Sequence, residues 1–97
     1  MKYIFTLLIL ALSLFAKDDA SAMYHSCKFC HGFKGEVKYM NIVQDLKNMD
    51  AAELEAKLRS YKKGDLDIYG YGAMMKMQMK YIPEDKIPAL AAYIEKL

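Results

Sequence analysis

The chain has 97 residues, with 14 basic and 12 acidic side chains, two cysteines and no tryptophan, which is room for one small domain and not for a multidomain enzyme. At 27% charged and 55% hydrophobic it is neither disordered nor an integral membrane protein, and a formal charge of +2 is too weak to argue for nucleic acid.

Met1-Lys2, the apolar run Ile4 to Phe15 and then Ala16 read as a secretory signal peptide over 1–16. A spanning helix needs about 20 apolar residues, and this run stops at Lys17-Asp18-Asp19, so cleavage is favoured over a retained anchor. Ala20-Ser21-Ala22 has the better small-residue pattern, but cutting there leaves only a short stub before Cys27, so cleavage after Ala16 is preferred. The expectation is export to the periplasm, no stable membrane insertion afterwards, and a domain over 17–97. A domain this small usually carries a disulfide, a metal or a cofactor as a staple.

Ala20 to Cys30 contains no breaker and places Ala20, Met23, Tyr24 and Cys27 at i, i+3, i+4 and i+7, which predicts one amphipathic helix. Its end holds both cysteines, in Cys27-Lys28-Phe29-Cys30-His31. A disulfide between them closes a loop too short to constrain the chain. The run reads instead as c-type haem attachment. On a helical turn, positions i and i+3 share a face, so both thiols reach the two vinyl groups on one edge of a porphyrin. Cys27 and Cys30 then become thioethers, and the His31 imidazole takes one axial position on the iron. Three other readings use the same residues. A redox dithiol needs a βαβ context, and no strand alternation flanks the motif. Zinc held by His25, Cys27, Cys30 and His31 needs four tetrahedral ligands from one short run, which is poor geometry. A chance pair of structural cysteines is the plainest reading. Export and small size favour haem, and His25 reads as a solvated residue.

Gly32 and Gly35 end the first helix, and the stretch to Asn48 has one short apolar group, Ile42, Val43 and Leu46, compatible with a loop or brief helix on the haem face. Asp50-Ala-Ala-Glu53 resembles a capping box with Asp for Ser. Leu54, Leu58 and Tyr61 follow at helical spacing, predicting a helix over about 51–61 that Lys62-Lys63-Gly64-Asp65 breaks. Residues 62–82 read as a loop tract with Gly64, Gly70 and Gly72, then Met74, Met75, Met77 and Met79. Methionine commonly fills core gaps. Yet a haem held by one histidine has a second axial position open, and a thioether there stabilises ferrous iron. At least one of the four is read as an iron ligand, and the residues alone leave open which. Ile87, Leu90, Ala91, Ile94 and Leu97 predict a C-terminal helix whose stripe crosses the first. Pro88 fits either the first turn of a helix beginning near Asp85 or a bend in one starting at Glu84.

Together these landmarks resemble the class I cytochromes c, in particular the small bacterial monohaem carriers of the cytochrome c-553 type, over essentially all of 18–97. The resemblance rests on Tyr24-His-Ser-Cys27-Lys-Phe-Cys30-His31-Gly32, Gly35, Ala51-Ala-Glu-Leu54 to Tyr61, and Met75 running to Leu90-Ala-Ala-Tyr93-Ile94. It implies an all-α cytochrome c fold, three to four helices with loops wrapped around one covalent haem c and its iron, and crossing N- and C-terminal helices. The family's axial methionine lies seven residues before the last apolar residue ahead of the terminal helix, here Ile82, which selects Met75 over Met74 and Met77. The chain departs from the family in three places. No proline between Gly35 and Asp50 presents a carbonyl to the axial imidazole, so a carbonyl near Ile42 or Val43 is expected instead. Pro83 stands where a capping Ser is usual, and Pro88 where a good helix former is.

The function that follows is periplasmic one-electron transfer and not enzymatic turnover, because both axial positions are filled and so small a domain offers no second acid, base and nucleophile. The alternative is a haem-based sensor or small peroxidase with a labile methionine ligand. The resemblance implies redox partners, a quinol:cytochrome c reductase as donor and a terminal oxidase or peroxidase as acceptor. Lys28, Lys34, Lys62, Lys63, Lys76 and Lys80 flank the motif and the methionine tract, and read as a ring steering partners to the haem edge. Against that stands the ordinary role of lysine as a solvated side chain.

Overall fold

A computed structural model describes residues 19–97, so the expected signal at 1–16 lies outside the described residues. Among those residues all regular structure is helical: α1 at 19–24, α2 at Lys28–His31, α3 at Ala51–Lys63, α4 at Gly72–Met79 and α5 at Ile87–Glu95. Single 3₁₀ turns lie at Tyr39–Asn41 and Glu84–Lys86.

α3 begins because Asp50 is extended and its carboxylate accepts the Glu53 N–H at 2.8 Å. Glu95, at the far end of α5, accepts the Ala51 N–H, so two carboxylates face the positive end of one helix. The helix stops at Gly64, whose left-handed backbone (φ 85°, ψ 20°) returns its N–H to the carbonyls of Ser60 and Tyr61. It therefore runs past the predicted end through Lys62 and Lys63, both good helix formers; the glycine alone ends it.

The core joins Leu54 and Leu58 of α3 to Ile87, Leu90, Ala91 and Ile94 of α5, with Tyr24, Met49, Met79 and Ile82 closing it. The apolar stripes predicted for all three helices are the buried ones. The first and last described helices, α1 and α5, meet as expected. Tyr24 packs on Tyr93 with ring centroids 5.9 Å apart, and the Lys86 ammonium lies 3.1 Å from Asp19.

Several predicted elements differ. The single helix expected over 20–30 is broken at 25–27, where the N–H groups of His25 and Cys27 bond three residues back, to Ala22 and Tyr24, and tighten the chain into a turn. The tract read as loop contains α4, because Gly72 donates its N–H to Asp67 Oδ1 at 2.8 Å and the Met, Lys and Gln that follow all favour helix. Ile42 is exposed, whereas Leu46 packs on the core. Pro88 sits in the first turn of α5, which begins at Ile87 after the separate turn at Glu84–Lys86, so the helix has no internal proline to bend it.

The Tyr24 hydroxyl donates to the Gly32 carbonyl at 2.6 Å, and burial pushes its pKa up to about 12. Tyr24→Phe should cost about 1 kcal/mol in urea unfolding of the holoprotein at neutral pH. The unfolded chain releases this proton near pH 10 while the folded one keeps it, so stability held below about pH 10 is lost as pH rises towards about 12. The Phe variant should lose stability less steeply over that window, and an unchanged slope would count against the buried hydroxyl.

Candidate functional site

The motif residues fold as one turn. Cys30 and His31 both donate their N–H groups to the Cys27 carbonyl, at 3.3 and 3.0 Å, which brings the two cysteines and the imidazole to a single cleft. Gly32 closes the turn with φ 91°, its N–H on the Lys28 carbonyl at 2.8 Å. A Cβ at Gly32 would meet only the Glu36 and Val37 side chains, which are exposed, so it is the positive φ that favours glycine there. The Tyr24 hydroxyl holds the same residue from the other side.

The cleft has a cavity volume of about 130 Å³. Leu54 and Leu58 of α3 and Leu90 and Ile94 of α5 form its apolar base, with Leu46, Met49 and Ile82 around them. α4 contributes Met74, Met75, Gln78 and Met79, and Tyr71 just ahead of it, which is one helical face at i, i+3, i+4, i+7 and i+8. Met77 lies off that face and is 67% exposed. Met79, at 2%, belongs to the core. Met74 and Met75 are both half-buried and both line the cleft, whereas Met77 does not line it.

Burial holds His31 below the usual histidine range, which keeps its ring neutral, the form that binds a metal. Its Nδ1 is buried without a hydrogen-bond partner. The carbonyl expected near Ile42 or Val43 is therefore not engaged; that segment instead makes the turn at Tyr39–Asn41 and presents Tyr39 and Val43 to the cleft. Burial pushes the Cys27 thiol up, and its Sγ donates to the Met23 carbonyl at 3.8 Å. Both cysteines are free. An unpartnered buried imidazole nitrogen, two thiols one turn apart and two thioethers around one apolar cleft fit a covalently attached haem. The rival readings fit less well. Among the described residues no three His, Cys, Asp or Glu side chains converge to hold a zinc ion, and no strand accompanies the Cys-x-x-Cys run.

Sequence reasoning missed the cleft's aromatic rim, Tyr39, Tyr69 and Tyr71, and the polar side chains Gln44, Lys57 and Gln78. Eight tyrosines with no tryptophan hinted at it, but only the structure shows Tyr39 meeting Tyr71 edge-on at 5.1 Å. His25 is exposed and lies edge-on to Phe29, outside the cleft. Of the six lysines read as a steering ring, Lys34, Lys63, Lys76 and Lys80 are exposed, and Lys28 lies 5.0 Å over the Phe33 ring. Lys62 is not a free charge: its ammonium is bonded to the carbonyls of Met79 and Ile82.

Residues 17–97 match the family described as cytochrome c. The chain is 34% identical over 83 residues to cytochrome c-553 of Nitratidesulfovibrio vulgaris (strain DSM 19637 / Miyazaki F), covering 81% of this chain and 76% of that one. It is also 34% identical over 79 residues to cytochrome c-553 of Helicobacter pylori (strain ATCC 700392 / 26695), covering 81% and 78%.

A Cβ at Gly72 would run into the Leu66 carbonyl oxygen and the Asp67 side chain, so the start of α4 has no room for one. Gly72→Ala should destabilise the protein in urea by about 1–3 kcal/mol. Gly70, with φ 86° and open space around it, should accept Asn at smaller cost. Equal losses would mean that the start of α4 has slack.

Proposed function

This chain belongs to the cytochrome c family as a small class I c-type cytochrome, a haem-based electron carrier with one covalent haem c, and on that premise we propose how its residues hold the group and where it works. Cys27 and Cys30 would form the two thioethers, and the His31 nitrogen and Met75 sulfur would hold the iron. Residues 1–16 direct the chain to the periplasm and are removed, and 17–97 is the working domain. The observation that carries the assignment is the single cleft shared by the Cys27–His31 turn and the methionine face of α4. Met75 is preferred to Met74 by its spacing to Ile82.

When bound, the haem iron accepts and returns one electron. The residues around it do the rest. The apolar base from Leu54, Leu58, Leu90 and Ile94 keeps water out, which disfavours extra charge at the site. His31, held neutral by burial, offers a lone pair and not a proton. Among the described residues no carboxylate lines the cleft, so they supply no paired acid and base of the kind turnover chemistry uses. With His31 and Met75 holding the iron, the protein would act as a carrier and not as an enzyme.

Its partners are redox proteins. We assign the donor to a quinol:cytochrome c reductase and the acceptor to a terminal oxidase or peroxidase. The docking face is the exposed pair Phe29 and Phe33 beside the motif, with Lys28 and Lys34 next to them and Lys63, Lys76 and Lys80 on the α3–α4 side.

The test of ligation is the absorption spectrum of protein exported together with a cytochrome c maturation system. A Soret band should survive acid–acetone extraction, and ferric protein should show the weak charge-transfer band of methionine sulfur on iron. Met75→Ala should abolish that band, lower the potential and admit carbon monoxide to the ferrous protein, while Met74→Ala keeps the wild-type spectrum. A band lost with Met74 alone would transfer the role to that residue. Carbon monoxide binding by the wild type at neutral pH would favour a sensor or peroxidase.

Docking by charge is checked separately, by the bimolecular rate of electron transfer to an oxidase preparation. With a Debye length of about 8 Å at physiological ionic strength, the rate should fall as salt is added, and Lys28→Glu should lower it most at low salt. Indifference to both would leave the apolar pair as the docking determinant.

A further inference from the structure

Lys62 is in the last turn of α3, yet its ammonium serves another element. It donates to the Met79 carbonyl at 3.0 Å and to the Ile82 carbonyl at 2.6 Å, and the residue is partly buried. Met79 is the last residue of α4, and Ile82 closes the turn behind it, its own N–H on the Met79 carbonyl at 3.1 Å. The end of a helix leaves carbonyls without partners and carries partial negative charge. α4 has no glycine or left-handed residue to close it, because Lys80 stays in the right-handed region (φ −55°, ψ −36°). The ammonium from α3 takes that place, and it also lies at the negative end of its own helix.

α4 is therefore held at two points. The Gly72 N–H on Asp67 fixes its start, and Lys62, with the buried Met79 side chain, fixes its end. Met74 and Met75 project into the cleft from the span between.

We propose that Lys62 is a positioning residue for the axial thioether, acting through the C-terminal end of α4 to keep the methionine in the cleft. The proposal rests on the reading that α4 supplies that ligand. It also gives Lys62 a role distinct from that of the solvated lysines around it, since its charge is spent on backbone oxygens inside the molecule.

The experiment uses exported holoprotein carrying Lys62→Met, which keeps the aliphatic stem and removes the donor, with Lys62→Gln as a milder variant and Lys62→Arg as the rescue. Two readouts are taken: carbon monoxide association with the ferrous protein at neutral pH, and urea titration of the ferric charge-transfer band beside far-UV helicity. In Lys62→Met, carbon monoxide association should rise about tenfold or more, the change in open population that loss of one charge-assisted hydrogen bond produces. The band should also vanish at lower urea than the helix signal, whereas in wild type the two vanish together. Lys62→Gln should fall between, and Lys62→Arg should restore both. If the band and the helix signal shift together and carbon monoxide association is unchanged, Lys62 is merely structural and the proposal is overturned. If neither moves, it is a surface charge and the proposal is equally overturned. The two readings separate cleanly. A band that survives both Met74→Ala and Met75→Ala sinks the ligand reading, whereas a Met75-dependent band indifferent to Lys62 sinks only this one. Should Lys62→Met yield no holoprotein, Lys62→Gln carries both measurements.

Discussion

Leu54 and Leu58 of α3 pack with Leu90 and Ile94 of α5, and these four side chains are at once the centre of the core and the base of the cleft. Met49, Met79 and Ile82 have the same double membership. A chain this short has no second apolar layer to bury, so the surface that stabilises the fold is also the surface that receives the cofactor. Folding and enclosure of the cofactor are then one equilibrium, as in small domains whose metal supplies folding energy. Mutations in the base of the cleft will disturb both together.

Around that contact the polar groups are arranged by helix ends. α3 has carboxylates at its positive end, Asp50 from its own chain and Glu95 from α5. At its negative end lie Gly64 and the Lys62 ammonium that reaches α4. One helix thus links the other two without a disulfide. The neighbouring Cys27–His31 turn is built in the same way, from backbone bonds to one carbonyl and a tyrosine hydroxyl on Gly32.

How much of this was legible from the residues depends on the range of the interaction. The buried stripes of α1, α3 and α5 follow from spacing, and the cap at Asp50 from a motif three residues long, because both are local. The Cys27–His31 turn follows for the same reason. α4 was hidden because glycines at 64, 70 and 72 look like breakers, although Gly72 is chosen for lack of space beside Leu66. The break at 25–27 has no residue that announces it. Lys62 read as one charge among six, since nothing in composition says that its acceptors lie 17 and 20 residues away. The methionines illustrate the limit at the site itself: the residues alone do not choose among them, Met77 lies outside the cleft lining, and only the family spacing to Ile82 distinguishes Met75 from Met74.

The bond from Ala51 to Glu95 spans 44 residues, and the contacts of Asp19 with Lys86 and of Tyr24 with Tyr93 span more. The Asp19 contact needs Lys86, just ahead of α5, and the other two need α5 itself. Until α5 docks, the Cys27–His31 turn lacks the apolar partner that Leu90 and Ile94 supply across the cleft. A chain truncated before Glu95 would lose the carboxylate that α5 contributes to the start of α3.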